Sequence, residues 1–315
     1  MWDKIIKLFL LIPIFILCSK KEMPEEISVV NISNTRGSSE SPAIAADSRG
    51  YFYVVWEDRA PNGILCIYIT QRPPGGNWTQ PEYILEPQTP QRQPDIVVDK
   101  ENTLHVVGQY TNPQGWGEIL YTQKPLNGSW TNPVILGMHG MACIPKIAVD
   151  NYGNVHIVWQ ELVGYWPIFY ARKTKDGFWS TPIEISKELG DDSYTMAPAI
   201  TVDQSGYAHV VWTQSINCSS YLEDALVYTT NAPSGTWSDP IAICHDSLLQ
   251  IGLSPQIVVD DNHTDYVVWK MRKDIFYTFK PLNGQWSTVA RVCSTATISM
   301  WPQLAAEHDG CLHLV

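Results

Sequence analysis

The sequence has 315 residues, a formal net charge of -11, 13 Trp and 15 Tyr. An acidic protein is repelled by nucleic acids and by anionic membrane surfaces, so neither is expected as a partner. Only 17% of the residues are charged, and the many Trp and Tyr residues favour short strands over helices. Because one all-β domain often exceeds 200 residues, we expect a single large domain.

Residues 1–18 have the features of an export signal. Lys4 and Lys7 stand at the start of an apolar run, 8–17, that ends at Cys18. A helix needs about 20 residues to cross a bilayer, so this run is interpreted as the h-region of a signal peptide. A Cys at its end resembles a bacterial lipoprotein signal, which implies that Cys18 is lipidated, although that signal normally has small residues where 15–17 are bulky.

We therefore expect an exported protein: a lipoprotein of the outer membrane or cell surface, or a periplasmic or secreted protein. Its contact with the membrane is limited to the lipid anchor at Cys18, with an ordinary cleaved signal or an uncleaved anchor as alternatives. Residues 19–26 are interpreted as a linker. The other six cysteines have no metal or redox spacing, so they form disulfides or remain free thiols, and neither a metal nor a cofactor is expected.

A unit that begins with Pro recurs six times after residue 26. Each copy continues with an apolar run, an acidic residue, a turn and a second apolar run. The copies start near 42, 94, 145, 198, 255 and 302. Neighbouring acidic residues, from Asp47 to Glu307, are separated by 52, 51, 53, 57 and 47 positions. Such even steps indicate a repeat architecture.

Each unit contains four strand patterns. The first two are joined by an Asp-x-x-Gly turn, as at Asp150 to Gly153, where Asp and Gly both favour a tight turn. A third apolar run and a Gly-x-Trp turn, such as 177–179, lead to a fourth strand. Four short antiparallel strands per repeat are typical of a β-propeller blade. No unit has the 3.6-residue apolar period of a helical repeat.

The pattern of Pro-x-Ile-x-x-Asp, His-Val-Val-Trp and Gly-x-Trp resembles the bacterial BNR or Asp-box propellers, a sialidase-like family. The resemblance covers 27–315, but the Asp-boxes are degenerate, and Lys175-Asp-Gly-Phe-Trp179 matches best. It implies an all-β propeller of six blades, or seven if more sequence follows, with the last blade truncated at Val315. Residues 27–32 resemble a lone fourth strand, which is expected to close the ring by pairing with the last blade.

Residues that recur in every unit are expected to serve the fold. His105, His156, His209 and His313 share one repeat position that Tyr occupies in two other copies, which argues against a metal site. The repeated Asp residues are interpreted as turn residues. The repeated Trp residues are expected to pack one blade against the next.

Function is therefore expected where the repeats differ, in loops on a rigid scaffold. The loops after the second and fourth strands of each blade emerge on one face. The candidate ligand-binding residues in these loops are Arg59, Trp116, Tyr165, Trp166, Tyr221 and Trp301. Aromatic residues on one face are suited to a glycan or a protein surface.

The leading hypothesis is a non-catalytic binding module for a glycan or a surface protein. The family resemblance also implies an alternative, a sialidase-like exo-glycosidase, which would need an arginine cluster, a Tyr with a Glu partner and an acidic residue. The Arg-Ile-Pro segment of sialidases is missing, but Arg36, Arg59, Arg92 and Arg272 could reach the loop-bearing face, so this alternative stays open. A third hypothesis is an architectural propeller within a larger surface protein.

Overall fold

The computed structural model describes residues 7–8, 30–34, 38–137, 140–186, 194–218, 221–246, 254–271, 273–292, 302–306 and 311–314. All of the regular structure in these residues is β-strand, and so no helix among them is long and apolar enough to cross a membrane.

The strands follow one another at short intervals along the chain. In chain order they are β1 (Lys7–Leu8), β2 (Glu40–Ala46), β3 (Phe52–Arg59), β4 (Leu65–Arg72), β5 (Glu82–Tyr83), β6 (Gln91–Val98), β7 (Leu104–Thr111), β8 (Gly117–Lys124), β9 (Val134–Leu136), β10 (Ala142–Val149), β11 (Val155–Glu161), β12 (Ile168–Lys173), β13 (Ile183–Glu184), β14 (Tyr194–Val202), β15 (Ala208–Cys218), β16 (Tyr221–Asn231), β17 (Ile241–Asp246), β18 (Gln256–Val259), β19 (Asp265–Met271), β20 (Asp274–Lys280), β21 (Ala290–Arg291), β22 (Leu304–Ala306) and β23 (Leu312–Leu314).

Strands β2 to β21 form five four-stranded antiparallel sheets, each with its strands in chain order. These sheets are blades one to five of a β-propeller, as the repeat predicts. In the sixth sheet β22 and β23 form an antiparallel pair, and β1 joins β23 in parallel. The predicted all-β propeller with four-stranded blades is confirmed.

One expectation about the N-terminal region is wrong. The part of 27–32 that the structure describes, residues 30–32, forms no strand and does not pair with the last blade. Instead Ile32 packs against an apolar cluster of blade one that contains Trp56 and Tyr68. The physical reason is that this apolar surface offers burial to Ile32, whereas an apolar run in a sequence does not specify which edge it joins.

Neighbouring blades are joined by aromatic contacts between a Gly-x-Trp turn and the third strand of the preceding blade. The three pairs meet edge to face with ring centroids 4.8–5.0 Å apart, and they are Tyr121 with Trp179, Tyr170 with Trp237, and Tyr228 with Trp286. The second-strand residues Trp159, Trp212 and Trp269 are fully buried. The expectation that the repeated Trp residues pack blade against blade is thus confirmed.

The innermost strand of each complete blade has an unusual backbone just before its repeated Pro. The residues concerned have φ between 50° and 80°, and they are Ser41, Gln93, Ile144, Ala197 and Ser254. A residue before Pro normally adopts an extended conformation, so these positions are strained. In the first four blades the pairing register shifts at this point, which marks a β-bulge.

The repeated Asp residues lie at the opposite end of the blades, in the turn between the first and second strands, and the repeated His residues lie at the start of the second strand. In blade three Asp150 accepts hydrogen bonds from the backbone N–H of Tyr152 and Asn154, and its other oxygen lies 3.3 Å from His156 Nε2. Nδ1 of His156 lies 2.8 Å from the hydroxyl of Tyr170. These contacts give Asp150 and His156 a structural role within one blade.

Candidate functional site

The structure places the connections after the second and fourth strands at one end of the blades, and the contacts between them show this directly. The connection from β9 to β10 reaches the loop of blade two through a bridge between Met141 and Gly117. The oxygen of Met141 also accepts a hydrogen bond, 3.0 Å long, from Leu162 N in the loop of blade three. We call this end, with the loops 112–116, 137–141 and 162–167, the loop-bearing face.

Two aromatic residues of different blades lie side by side on the loop-bearing face. The ring of Trp166, in the loop between β11 and β12, meets that of Tyr194 at the start of β14, with centroids 5.1 Å apart and planes at 61°. Both rings remain partly exposed, and Tyr194 is 40% exposed. Trp166 has φ 60° and its N–H donates to the oxygen of Val163, so the backbone turns sharply here.

Thr195 fixes this loop to blade four. Its backbone N–H donates to the oxygen of Tyr165 over 3.1 Å, and its hydroxyl donates to the oxygen of Trp166. Thr195 itself is fully buried, and its own oxygen accepts a 2.8 Å hydrogen bond from Nε2 of Gln160. Because Gln160 lies on β11 of blade three, these bonds connect the two blades directly beneath the aromatic residues.

Trp116 extends the aromatic surface on blade two and is 48% exposed. The side chain of Asn112 holds its turn, because Oδ1 accepts 3.0 Å hydrogen bonds from the N–H groups of Gln114 and Trp116. Gly140 lies against the indole. A Cβ atom there would come within 3.2 Å of Trp116, and the φ of +75° also favours glycine.

Carboxylates accompany these aromatic residues. The hydroxyl of Tyr165 donates to Oε1 of the exposed Glu184 on β13. Glu118 accepts a 3.0 Å hydrogen bond from Asn112 Nδ2. Glu161 is fully buried at the end of β11 and accepts a 3.1 Å hydrogen bond from the indole N–H of Trp159.

We call Trp116, Tyr165, Trp166 and Tyr194 the aromatic group. Three of the four were predicted as candidate residues. Tyr194 and Glu184 were not singled out, although Tyr194 lies in a loop that the sequence assigned to this face. Neither residue recurs in the repeat, and their contacts with Tyr165 and Trp166 are visible only in the folded structure.

The remaining predicted residues are not part of the aromatic group as described. Arg59 is exposed at the end of β3, and its Nη1 donates to the oxygen of Gly63 in its own loop, 2.9 Å away. Tyr221 opens β16, where its backbone pairs with Cys218. Its side chain, and all of Trp301 and Cys18, lie outside the described residues.

The described arginines are dispersed. Five of these six side chains engage separate partners: Arg49 with Asp47, Arg59 with Gly63, Arg72 with the rings of Phe52 and Trp78, Arg172 with Pro233, and Arg291 with Asp274. Arg36 and Arg272 lie outside the described residues. Within the described part of the chain, the arginine cluster that a sialidase-type site would need does not form.

Two carboxylates at the end of β3 hold neighbouring segments in place. Oε2 of Glu57 accepts a 2.8 Å hydrogen bond from Gln93 N at the bulge of blade two. Oδ2 of Asp58 accepts one of 2.8 Å from the hydroxyl of Ser39. Both side chains are buried. The bond of Glu57 thus connects blade one to blade two, and the bond of Asp58 holds the residue before β2 against β3 within blade one.

Metal-ligating groups and cavities in the described part of the chain are the remaining features that could form a site. No group of three or more His, Cys, Asp and Glu residues there is arranged to hold a metal ion. A cavity of about 340 Å³ lies between residues 30–34 and the Gly-x-Trp turn of blade one, where it is lined by Arg72 and Trp78 among others. It is separate from the aromatic group.

Comparisons with known proteins show a shared fold. No family model matches the sequence. An α-L-arabinofuranosidase of Fusarium graminearum superposes with a TM-score of 0.65 at 14% identity, covering 87% of this chain and 86% of that one. A Hadza microbial sialidase superposes with a TM-score of 0.53 at 12% identity, covering 84% and 60%. The predicted likeness to sialidases therefore holds for the fold, while the Asp-box repeat itself remains a prediction.

One curated protein matches in sequence. A xylosidase/arabinosidase of Butyrivibrio fibrisolvens is 24% identical over 151 residues, which are 45% of this chain and 27% of the relative. The matched segment thus spans about a quarter of the relative's length.

Proposed function

We propose that this protein is an exported recognition module that binds a glycan through the aromatic group on its loop-bearing face. The observation that carries the proposal is the pairing of Trp166 and Tyr194, which Thr195 fixes across two blades while their rings stay partly exposed. Rigid aromatic rings with polar groups at their edge present a large contact area at little entropic cost, which suits the flat faces of sugar rings.

The comparisons support a glycan as the ligand. The matched proteins are named as an arabinofuranosidase, a sialidase and a xylosidase/arabinosidase, all of which are enzymes of glycan cleavage. Location at the cell surface is proposed from the N-terminal sequence, where the apolar run ends at Cys18.

Binding is favoured over catalysis by the way the carboxylates of this face are used. A glycosidase generally needs two carboxyl groups that flank the scissile bond. Here Glu57, Asp58 and Glu161 are buried, and each accepts a hydrogen bond within the fold. At the aromatic group, Glu184 and Glu118 are hydrogen-bonded to Tyr165 and Asn112. The names of the matched proteins favour an exo-glycosidase as the second candidate.

A glycan array followed by isothermal titration tests the proposal. The wild-type protein should bind at least one oligosaccharide, and the double variant Trp116→Ala, Trp166→Ala should lose that binding while it still folds. Phe178→Ala is the matched control, because Phe178 is 75% exposed in a turn at the opposite end of blade three. An array without any binding by the folded protein would contradict the proposal and favour an architectural role. Release of a fluorogenic aglycone from an arabinoside, xyloside or sialoside would favour the enzyme.

A further inference from the structure

We infer that the aromatic group selects neutral glycans and rejects those that carry carboxylates. This inference rests on the proposed function and names the charge class of its ligand. It follows from the charges of the described residues that build the surface, 110–118, 137, 140–142, 161–167, 183–186 and 194–197. They contain three acidic residues, Glu118, Glu161 and Glu184, and no Lys or Arg.

Two of these carboxylates lie at the aromatic residues themselves, whereas Glu161 is buried. Glu184 accepts the hydrogen bond of the Tyr165 hydroxyl, and Glu118 is joined to Asn112, which holds the turn of Trp116. A sugar stacked on Trp166 or Trp116 would therefore lie near negative charge. A carboxylate on that sugar would be repelled, because like charges within a few ångströms disfavour each other even near the protein surface.

Five of the six described arginines engage other partners, and Arg92 lies on β6 of blade two. Bound carboxylates are usually recognised by Arg or Lys, often with two parallel hydrogen bonds to Arg. Among the described residues, Arg59 bonds within its own loop and Lys175 pairs with Glu101 in the turns at the opposite end. No described Lys or Arg is hydrogen-bonded to a member of the aromatic group.

The same surface is well supplied with acceptors for sugar hydroxyls. A carboxylate has two oxygens that accept hydrogen bonds and no donor of its own. Glu184 is exposed beside Tyr165, so its carboxylate can accept hydrogen bonds from the hydroxyl groups of a neutral sugar. This acceptor favours a polyol over an anion.

Titration with matched pairs of oligosaccharides tests the inference. The probes are lactose with sialyllactose, a xylo-oligosaccharide with its glucuronic-acid-substituted form, and a methyl-esterified oligogalacturonide with the free acid. In every pair that binds, the dissociation constant of the acidic member should be at least about 10-fold higher than that of the neutral member, which corresponds to about 1.4 kcal/mol. This ratio should decrease as added salt screens the repulsion. Equal or tighter binding of the acidic members would overturn the inference and leave the proposed function standing. Failure of all neutral and acidic probes would overturn both.

Two variants with the same change of charge show whether the selection arises at this surface. Glu184→Gln removes one negative charge beside Tyr165, so the ratio of the acidic to the neutral dissociation constant should decrease by about 3-fold or more. Glu101→Gln removes one negative charge at the opposite end, next to Lys175, and should leave the ratio as in the wild type. An equal effect of both variants would show that only the net charge of the protein matters and would overturn the assignment to the aromatic group.

Discussion

The indole of Trp179 in blade three meets the phenol ring of Tyr121 in blade two edge to face, with centroids 5.0 Å apart and planes at 78°. The same arrangement occurs between blades three and four and between blades four and five. The Gly-x-Trp turn that ends in Trp179 is therefore a packing element whose aromatic residue joins two blades.

Removal of this contact should destabilise the propeller. We expect Trp179→Ala to lower the free energy of unfolding by about 3–5 kcal/mol, the usual cost of truncating a large aromatic residue in a core. Chemical denaturation measures the change. The neighbouring Phe178→Ala is the control, because an exposed substitution should stay within about 0.5 kcal/mol. Equal effects of the two variants would contradict the packing role of Trp179.

Acid should lower the contribution that Asp150, in the first turn of blade three, makes to the stability of the protein. Burial alone would raise the pKa of Asp150, but hydrogen bonds from His156 and Asn154 outweigh it and lower the pKa from 3.8 to about 2. The folded state then binds this proton less readily than the unfolded state. The stabilisation is complete above the unfolded value and disappears as the pH falls through the folded one.

Burial lowers the pKa of His156 below its ordinary value of 6.5. Because the unfolded chain then takes up this proton at a higher pH than the folded chain does, His156 also makes the protein less stable as the pH falls. We expect Asp150 to contribute roughly 2 kcal/mol of stability that is lost between about pH 5 and pH 2. Urea denaturation across this range should show a smaller slope with pH for Asp150→Asn than for the wild type. Identical slopes would contradict the assigned role.

The hydroxyl of Thr195 should matter for binding. Thr195→Val keeps the shape of the side chain but removes the hydrogen bond to the oxygen of Trp166. One hydrogen bond is worth about 1 kcal/mol, so a loosened loop should weaken glycan binding by roughly 5-fold. Thr122→Val is the matched control, since the buried Thr122 makes a similar bond to the oxygen of Thr131 at the opposite end of blade two. A weaker affinity in the control alone would refute this role for Thr195.

Cys66 and Cys143 are buried free thiols, so alkylation should show that the fold protects them. Burial raises the pKa of Cys66 and of Cys143 to about 11, and the thiolate is the form that reacts. Native protein treated with iodoacetamide at pH 8 should be modified at neither position, whereas the unfolded protein should be modified at both. Mass spectrometry of tryptic peptides makes the comparison. Rapid modification of native Cys66 would contradict its placement between the strands.

Much of the fold could be predicted because each blade repeats the same sequence pattern and the same order of four strands. Tryptophan at the Gly-x-Trp turn and Asp at the first turn recur, so their structural role is visible in the sequence. The strained residues before the repeated Pro were not predictable, because a residue such as Gln93 before Pro94 normally favours an extended backbone. Its left-handed conformation depends on the bulge that pairs Gln93 N with Glu57 of the neighbouring blade.

The candidate site was predictable only in part. Trp116, Tyr165 and Trp166 stand out as aromatic residues in irregular loops. The hydrogen bonds of Thr195 and the contact of Tyr194 with Trp166 depend on how blade four packs against blade three. A local sequence pattern does not predict that packing. Ile32 shows the same limit, because its apolar character does not reveal that blade one would bury it.

The central claim, that the aromatic group on the loop-bearing face binds a glycan, is tested most directly by nuclear magnetic resonance. The indole N–H signals of the 13 Trp residues would be followed while the neutral oligosaccharide with the highest affinity is added. The signals of Trp116 and Trp166 should shift with a common binding curve, and those of the buried Trp159, Trp212 and Trp269 should stay in place. Unmoved signals of Trp116 and Trp166 at saturating oligosaccharide would contradict the account.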